Sequence, residues 1–224
     1  MTYMTFRFGQ FIVKNTFIGR IRSKEHPEKG RFNAADFGEI TKRTWKNYCE
    51  LLPYAPKFAN YGNRKMMDSG VLSLAVYRAM TAIVDDRDYA IELAGDILWK
   101  YYAMDTKLSW LMSRVLYRDP YKQVDFQLRL GIKYQFCPPE YKWEYHAGAD
   151  EINLDFYRCP ICDYFKMQGD DALEFFQKTW CLFDFALPDI MADKGVLRYT
   201  RPHTLSKGDD VCDMKFTFLN RTAQ

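Results

Sequence analysis

The chain has 224 residues, 48% of them apolar and 17% aromatic, enough for a sizeable core in one large domain or one domain with a helical appendage. Thirty-two Lys and Arg stand against 29 Asp and Glu, and the formal charge of +3 is too small and too scattered for a nucleic-acid surface, which needs a concentrated basic patch. A mean hydropathy of −0.40, with no long uncharged apolar run, excludes a transmembrane segment of the helical kind.

The first 32 residues form an N-terminal extension. Met1 to Arg22 is rich in aromatics, but Arg7, Lys14 and Arg20 interrupt it and no small-residue cleavage site follows, so it does not read as a signal peptide. A cytoplasmic location with reduced cysteines is therefore expected. Phe6, Phe8, Phe11, Ile12, Phe17 and Ile18 would suit a membrane-surface or dimerisation helix, which allows a homo-oligomer, or simple packing on the domain. From Asn33, the spacing predicts helices to about residue 118. Asn33 is a natural N-cap for a helix with Phe37, Ile40, Trp45, Tyr48 and Leu52 at three-to-four spacing, and Pro53 and Pro56 end it. After Asn60-Tyr-Gly-Asn63, a second helix is expected near Lys65 to Ala82. A third opens at Asp86 or Asp88, a shorter fourth runs to about Leu116, and Asp119-Pro120 closes the helical half.

From Val124 the apolar residues alternate: Phe126, Leu128, Leu130, Ile132, Tyr134, Phe136. Period 2 predicts a strand stopped by Cys137-Pro-Pro139. Trp143 and Tyr145 mark a second strand, and Ile152, Leu154 and Phe156 a third. Cys159 caps the next helix, because proline, here Pro160, sits well at the first helical position. That helix runs toward Trp180 or Phe183 with a break at Gly169-Asp170, and strands return at Val196 to Thr204 and Val211 to Leu219. Helices followed by strands predict an α+β fold: a helical N-terminal half (33–118), then an antiparallel sheet with one packed helix (123–219), in a single domain spanning 33–220.

Chemistry concentrates in the C-terminal part. Cys159 and Cys162 lie in Arg158-Cys-Pro-Ile-Cys-Asp163, Cys181 precedes Asp184 by three residues, and Cys212 adjoins Asp213. Buried cysteines are often only small hydrophobes. Four together also admit metal, redox or thiol chemistry. Structural zinc commonly takes two C-x2-C pairs and only one is present, so zinc held by the cysteines is the second choice and no cofactor is expected. Cys-Pro-Ile-Cys at a helix start resembles a dithiol redox site, but the flanking βαβ pattern is missing. Hydrolysis is the third reading, with a thiolate or carboxylate attacking, or activating water to attack, a polarised carbon. Cys212 shares a face with Met214, Phe216 and Phe218, which leaves Asp213 pointing the other way. His26 belongs to a charged loop and His146 faces away from Trp143 and Tyr145. A hairpin could bring His203 to the Cys212-Asp213 pair. The 16 Tyr and 17 Phe against three His would equally suit a non-catalytic sensor or carrier of a small molecule.

Taken together, Arg158-Cys159, Cys181-Leu-Phe-Asp184, Arg201-Pro-His-Thr-Leu205, Gly208 and Cys212-Asp213 with Phe216 resemble the L-2-amino-thiazoline-4-carboxylic acid hydrolase family. Leu52-Pro-Tyr-Ala-Pro56, Asn63 and Leu74-Ala-Val-Tyr-Arg78 are similar to its helical half, so the resemblance covers roughly residues 45 to 219. Cys162 stands where the family usually has alanine and is not carried over. The resemblance implies hydrolytic opening of a cyclic amidine to a carbamoyl-cysteine. It implies Cys159, Cys181 or Cys212 as the reacting thiol and Asp184 and Asp213 as amidine ligands or general acid/base. Arg201, with His203 and Thr204 beside it, would receive the carboxylate of a small-molecule substrate, since a guanidinium binds carboxylates bidentately.

Overall fold

Asn33 does what its position in the sequence predicts. In the computed structural model, which describes residues 13–193 and 195–219, its side chain accepts from the amides of Ala35 and Asp36 while the Asp36 carboxylate accepts from the Asn33 amide. This capping box satisfies donors a helix start leaves bare and starts α1 (Ala34–Leu51). Pro53 ends it in a 3-10 turn, Leu52–Tyr54. α2 (Tyr61–Thr81) and α3 (Arg87–Leu116) follow. The expected third and fourth helices are one 30-residue helix; no proline lies within it, and Gly95 alone does not break it.

The chain divides into two compact units. One holds the residues up to Pro56 with Met67–Tyr102, the other Lys57–Met66 with the chain from Ala103 on. Within the first, Ile21 and Arg31 form an isolated antiparallel bridge, Arg20 pairs with Glu92 (2.8 Å) and with Asp96, and the Tyr89 hydroxyl donates to the Ile21 carbonyl at 2.7 Å. Of the apolar N-terminal residues, Phe6, Phe8, Phe11 and Ile12 lie outside the described residues. Phe17 is fully buried, its ring 4.3 Å from that of Phe32.

In the second unit the segment predicted as a strand from Val124 to Phe136 is instead helical: α4, Pro120–Tyr134. Asp119-Pro120 opens it rather than closing the preceding helices, with Asp119 accepting from the Tyr121 amide and Pro120 in the first turn. Val124, Leu128 and Ile132 satisfy both periods, because every fourth residue falls on one face of a helix and on one face of a strand. The buried Gln123 and Gln127 carry the helical spacing that the apolar pattern concealed. Gln127 donates to the Ser113 hydroxyl and the Met191 carbonyl, each at 3.1 Å, tying α4 to α3 and to α8 (Pro188–Met191).

Four antiparallel strands, β1 (Lys142–Ala147), β2 (Glu151–Arg158), β3 (Leu197–Thr200) and β4 (Cys212–Phe218), form one sheet in the order β1-β2-β4-β3. The architecture is α+β, as expected. The strand expected from Val196 to Thr204 ends at Thr200, and a 3-10 turn at Leu205–Lys207 interrupts the return to β4. Ile152, Leu154 and Phe156 of β2 and Cys212, Phe216 and Phe218 of β4 line the inner face, where Val124 and Ile132 of α4 pack. Between β2 and β3 the chain forms α5 (Pro160–Met167), α6 (Asp170–Lys178), α7 (Trp180–Ala186) and α8, broken at Gly169, whose φ of +100° suits glycine.

At the start of α2, Asn63 is fully buried and clamps the turn after α4. It donates to the Cys137 carbonyl (2.8 Å) and Glu140 (2.7 Å) and accepts from the Cys137 amide (2.9 Å). Beside it, a Cβ on Gly62 would collide with the Tyr134 carbonyl, which is backbone and cannot swing aside. Gly62→Ala is therefore expected to cost about 1–3 kcal/mol, read as a lower denaturant midpoint at unchanged slope.

Candidate active site

Arg201 follows β3 on the inward-facing register of Leu197 and Tyr199. Its side chain is only 4% exposed. A buried guanidinium requires partners. One terminal nitrogen donates to Asp184 at 2.5 Å, the other to the Cys181 carbonyl at 2.5 Å, and the plane stacks over the Phe185 ring at 5.0 Å. The pair Cys181-x-x-Asp184 spans one turn of α7, so a single arginine reaches both.

Around this pair stand the thiols. The Cys181 sulfur lies 3.3 Å from the Ser206 hydroxyl. Cys212 accepts from the Leu205 amide at 3.2 Å and shares an apolar cluster with Cys159, Tyr141 and Phe156. Cys159, Cys181 and Cys212 are close enough to disfavour one another's charge, so the structure brings them together. Cys159 is the N-cap residue of α5, where a helix start favours a thiolate, but burial outweighs that and pushes its thiol well above the usual range. Burial pushes Cys181 up to about 12 and also raises Cys212. Cys162, buried on α5, is pushed up to about 11 for the same reason. All four are thiols, not thiolates, near neutral pH. Asp184 differs: burial pushes its carboxyl up to about 6, with Arg201 opposing the rise.

Asp213 and His203 occupy a different place. In β4, Asp213 alternates with Cys212 and lies on the outer face, directly across from Asp155 of β2. His203 packs on it: its backbone amide donates to one carboxylate oxygen at 2.7 Å and Nδ1 lies 2.8 Å from the other. Asp213 therefore braces the β3–β4 connection and does not join the thiol cluster. Thr204 is buried, with its backbone amide donating to Asp209 at 2.7 Å. His26 and His146 are exposed.

Tyr141 has no forewarning in the sequence beyond its type. It is 2% exposed, held just after the turn that Asn63 clamps, and lies close enough to Cys159 for each charge to be felt. Among the described residues its buried hydroxyl has no hydrogen-bond partner, and neither has Arg201 Nε. Buried polar atoms without partners are rare, and each is a donor left unspent by the protein. Among the described residues no group of three or more His, Cys, Asp or Glu side chains is arranged to hold a metal ion. No described helix is long and apolar enough to cross a membrane.

Fold and site together define an α+β protein in which three thiols, Cys212 buried and Cys159 and Cys181 partly so, gather near one Asp–Arg pair. Residues 121–216 match the family model of L-2-amino-thiazoline-4-carboxylic acid hydrolase. The matched stretch holds α4, the whole sheet to Phe216 and every member of the cluster, and over it the family resemblance of the sequence holds. No curated protein and no solved structure matches the chain.

Two measurements check this geometry. Tyr141→Phe removes a buried hydroxyl that has no partner, so unfolding free energy is expected to rise by about 1 kcal/mol; a fall would mean the hydroxyl is bonded. Bonding to Asp213 raises the His203 pKa above its ordinary 6.5, so the interaction stabilises fully below that value and is lost as pH rises through the folded-state pKa. Histidine NMR titration should place His203 above the ordinary 6.5, and Asp213→Asn should return it toward that value.

Proposed function

We propose that the protein hydrolyses a cyclic amidine, with 2-amino-thiazoline-4-carboxylate as the model substrate and a carbamoyl-cysteine as product. The observation that carries the proposal is Asp184, mostly buried and bonded to the buried Arg201 amid neutral thiols, its carboxyl pushed up to about 6 by desolvation. A carboxyl tuned near the working pH is the group such a cluster offers for proton transfer. The family match over 121–216 supports the substrate class.

Ionised Asp184 takes a proton from water as the water oxygen adds to the amidine carbon, and passes it to the ring nitrogen, which has received the carbon–nitrogen π pair. Asp184 then takes the remaining hydroxyl proton as the carbonyl forms and the ring carbon–sulfur bond breaks with its electron pair on sulfur, and it delivers that proton to the sulfur. The water oxygen is left as the carbonyl of the carbamoyl group, a free thiol is released, and Asp184 is ionised again. Arg201 is a positioning residue that holds Asp184, while its Nε and the Tyr141 hydroxyl are the unspent donors for the substrate. Cys159, Cys181 and Cys212 wall the reacting centre as neutral, weakly donating groups, polar enough to tolerate an amidine and too buried to ionise unaided. Asp213, His203 and Thr204 act on the connection that delivers Arg201 and Ser206.

Wild-type protein is expected to release free thiol from 2-amino-thiazoline-4-carboxylate, with kcat/KM rising as pH increases through about 6, because the base must be ionised. Asp184→Asn should lower kcat by about 100-fold or more and flatten that rise. Absence of turnover in wild type would remove the substrate. Full activity in Cys159→Ala, Cys181→Ala and Cys212→Ala alike would remove the thiols from the chemistry and leave them as packing. Tight ligand binding without turnover would instead favour a sensor or carrier.

A further inference from the structure

Within the second unit, the last part of α3 carries a face that nothing among the described residues covers. Met104, Leu108, Leu111 and Val115 follow one another at spacings of four, three and four, with Met112 and Leu116 alongside. All six are exposed, Leu108 at 61% and Val115 at 80%. Alternating four-three spacing is the a/d seam of a coiled coil, the pattern that keeps one apolar stripe facing a partner helix. This part of the helix is itself anchored within the unit. On other sides of the helix, the buried Ser113 accepts from Gln127 at 3.1 Å, and Arg114 pairs with Asp193 at 3.2 Å and stacks over Trp110 at 5.0 Å.

We propose that this stripe is the dimerisation surface of the protein and that its occupant is the same stripe of a second copy. The six residues carry no charge, so a two-fold axis brings like against like with no repulsion within the stripe, and the closed two-fold dimer is the commonest assembly. At the exposures above, the six side chains present roughly 600 Å² of apolar surface, at the upper end of what monomers leave bare. Two copies together would bury roughly 1,200 Å², the size at which specific interfaces begin. Knobs from Leu108 and Val115 supply its centre, and the basic Lys107 and Arg114 at the margin keep the patch from extending further.

Sedimentation velocity on the full-length protein at micromolar concentration tests this, with wild type compared with Leu108→Lys/Val115→Lys. The expected result is a wild-type dimer and a monomeric double variant with an unchanged circular-dichroism spectrum, since both side chains are exposed and contribute little to the fold. Should the double variant lose its spectrum, Val115→Lys alone, at the most exposed position, is expected to weaken the dimer at least about tenfold. A monomeric wild type overturns the proposal, as does a dimer that survives the substitutions. If wild type is monomeric and binds a hydrophobic dye only after residues 1–12 are removed, the chain's own N-terminal segment is the occupant instead. Wild-type monomer that co-sediments with phosphatidylserine vesicles would make the surface a membrane contact.

Discussion

The arrangement of the second unit around its site depends on the buried Arg201 guanidinium. A charge at that depth is tolerated only when it is paired, and one element pairs it: α7, through the Asp184 carboxylate and the Cys181 carbonyl, with the Phe185 ring stacked on the guanidinium. Removing one partner of such a pair typically costs about 3–5 kcal/mol, because the other charge is left buried and alone. The pair therefore sets where α7 lies against the strand end that carries Arg201. In doing so it places Cys181 against Ser206 and brings the Cys159 and Cys212 thiols near. The same burial that demands the pair also raises Asp184 and the thiols of Cys159, Cys181 and Cys212. One constraint thus sets both the geometry of the cluster and the direction in which its groups shift.

A second consequence concerns how the contiguous Cys212-Asp213 pair is used. Strand alternation sends adjacent residues to opposite faces, so the thiol joins the inner cluster and the carboxylate turns outward to His203. Two side chains that are neighbours in sequence thereby do two jobs. Cys212 lines the site, and Asp213 fixes the connection between β3 and β4 on which Arg201, Leu205 and Ser206 ride. Asn63 plays the corresponding part at the other end, clamping the turn that carries Tyr141 into the cluster from a position far away in sequence.

Much of this was legible beforehand where a residue's local role is also its structural one. The Asn33 cap, the proline stop after α1, Pro160 opening α5, the break at Gly169 and the alternation of β2 and β4 are each decided by backbone chemistry within a few residues. The segment after Val124 is ambiguous in sequence because positions four apart satisfy both a strand and a helix, and the arbiters are the polar Gln123, buried against the Tyr117 carbonyl, and Gln127, buried against Ser113 and Met191. Tyr141 was missed for a related reason: an aromatic in a Pro-rich turn signals nothing until its hydroxyl is found buried without a partner.

By itself, the sequence determined the α+β class, the residues that concentrate chemistry, and the split of Cys212 from Asp213, since all three follow from local periodicity and composition. Only the tertiary structure decided which of those residues meet. Whether Asp184 lies beside a buried arginine or is an ordinary surface carboxylate, whether a thiol is shielded from water, and whether a stripe on a helix is core or surface are properties of burial. Burial is set by what distant segments pack against, and no local pattern encodes it.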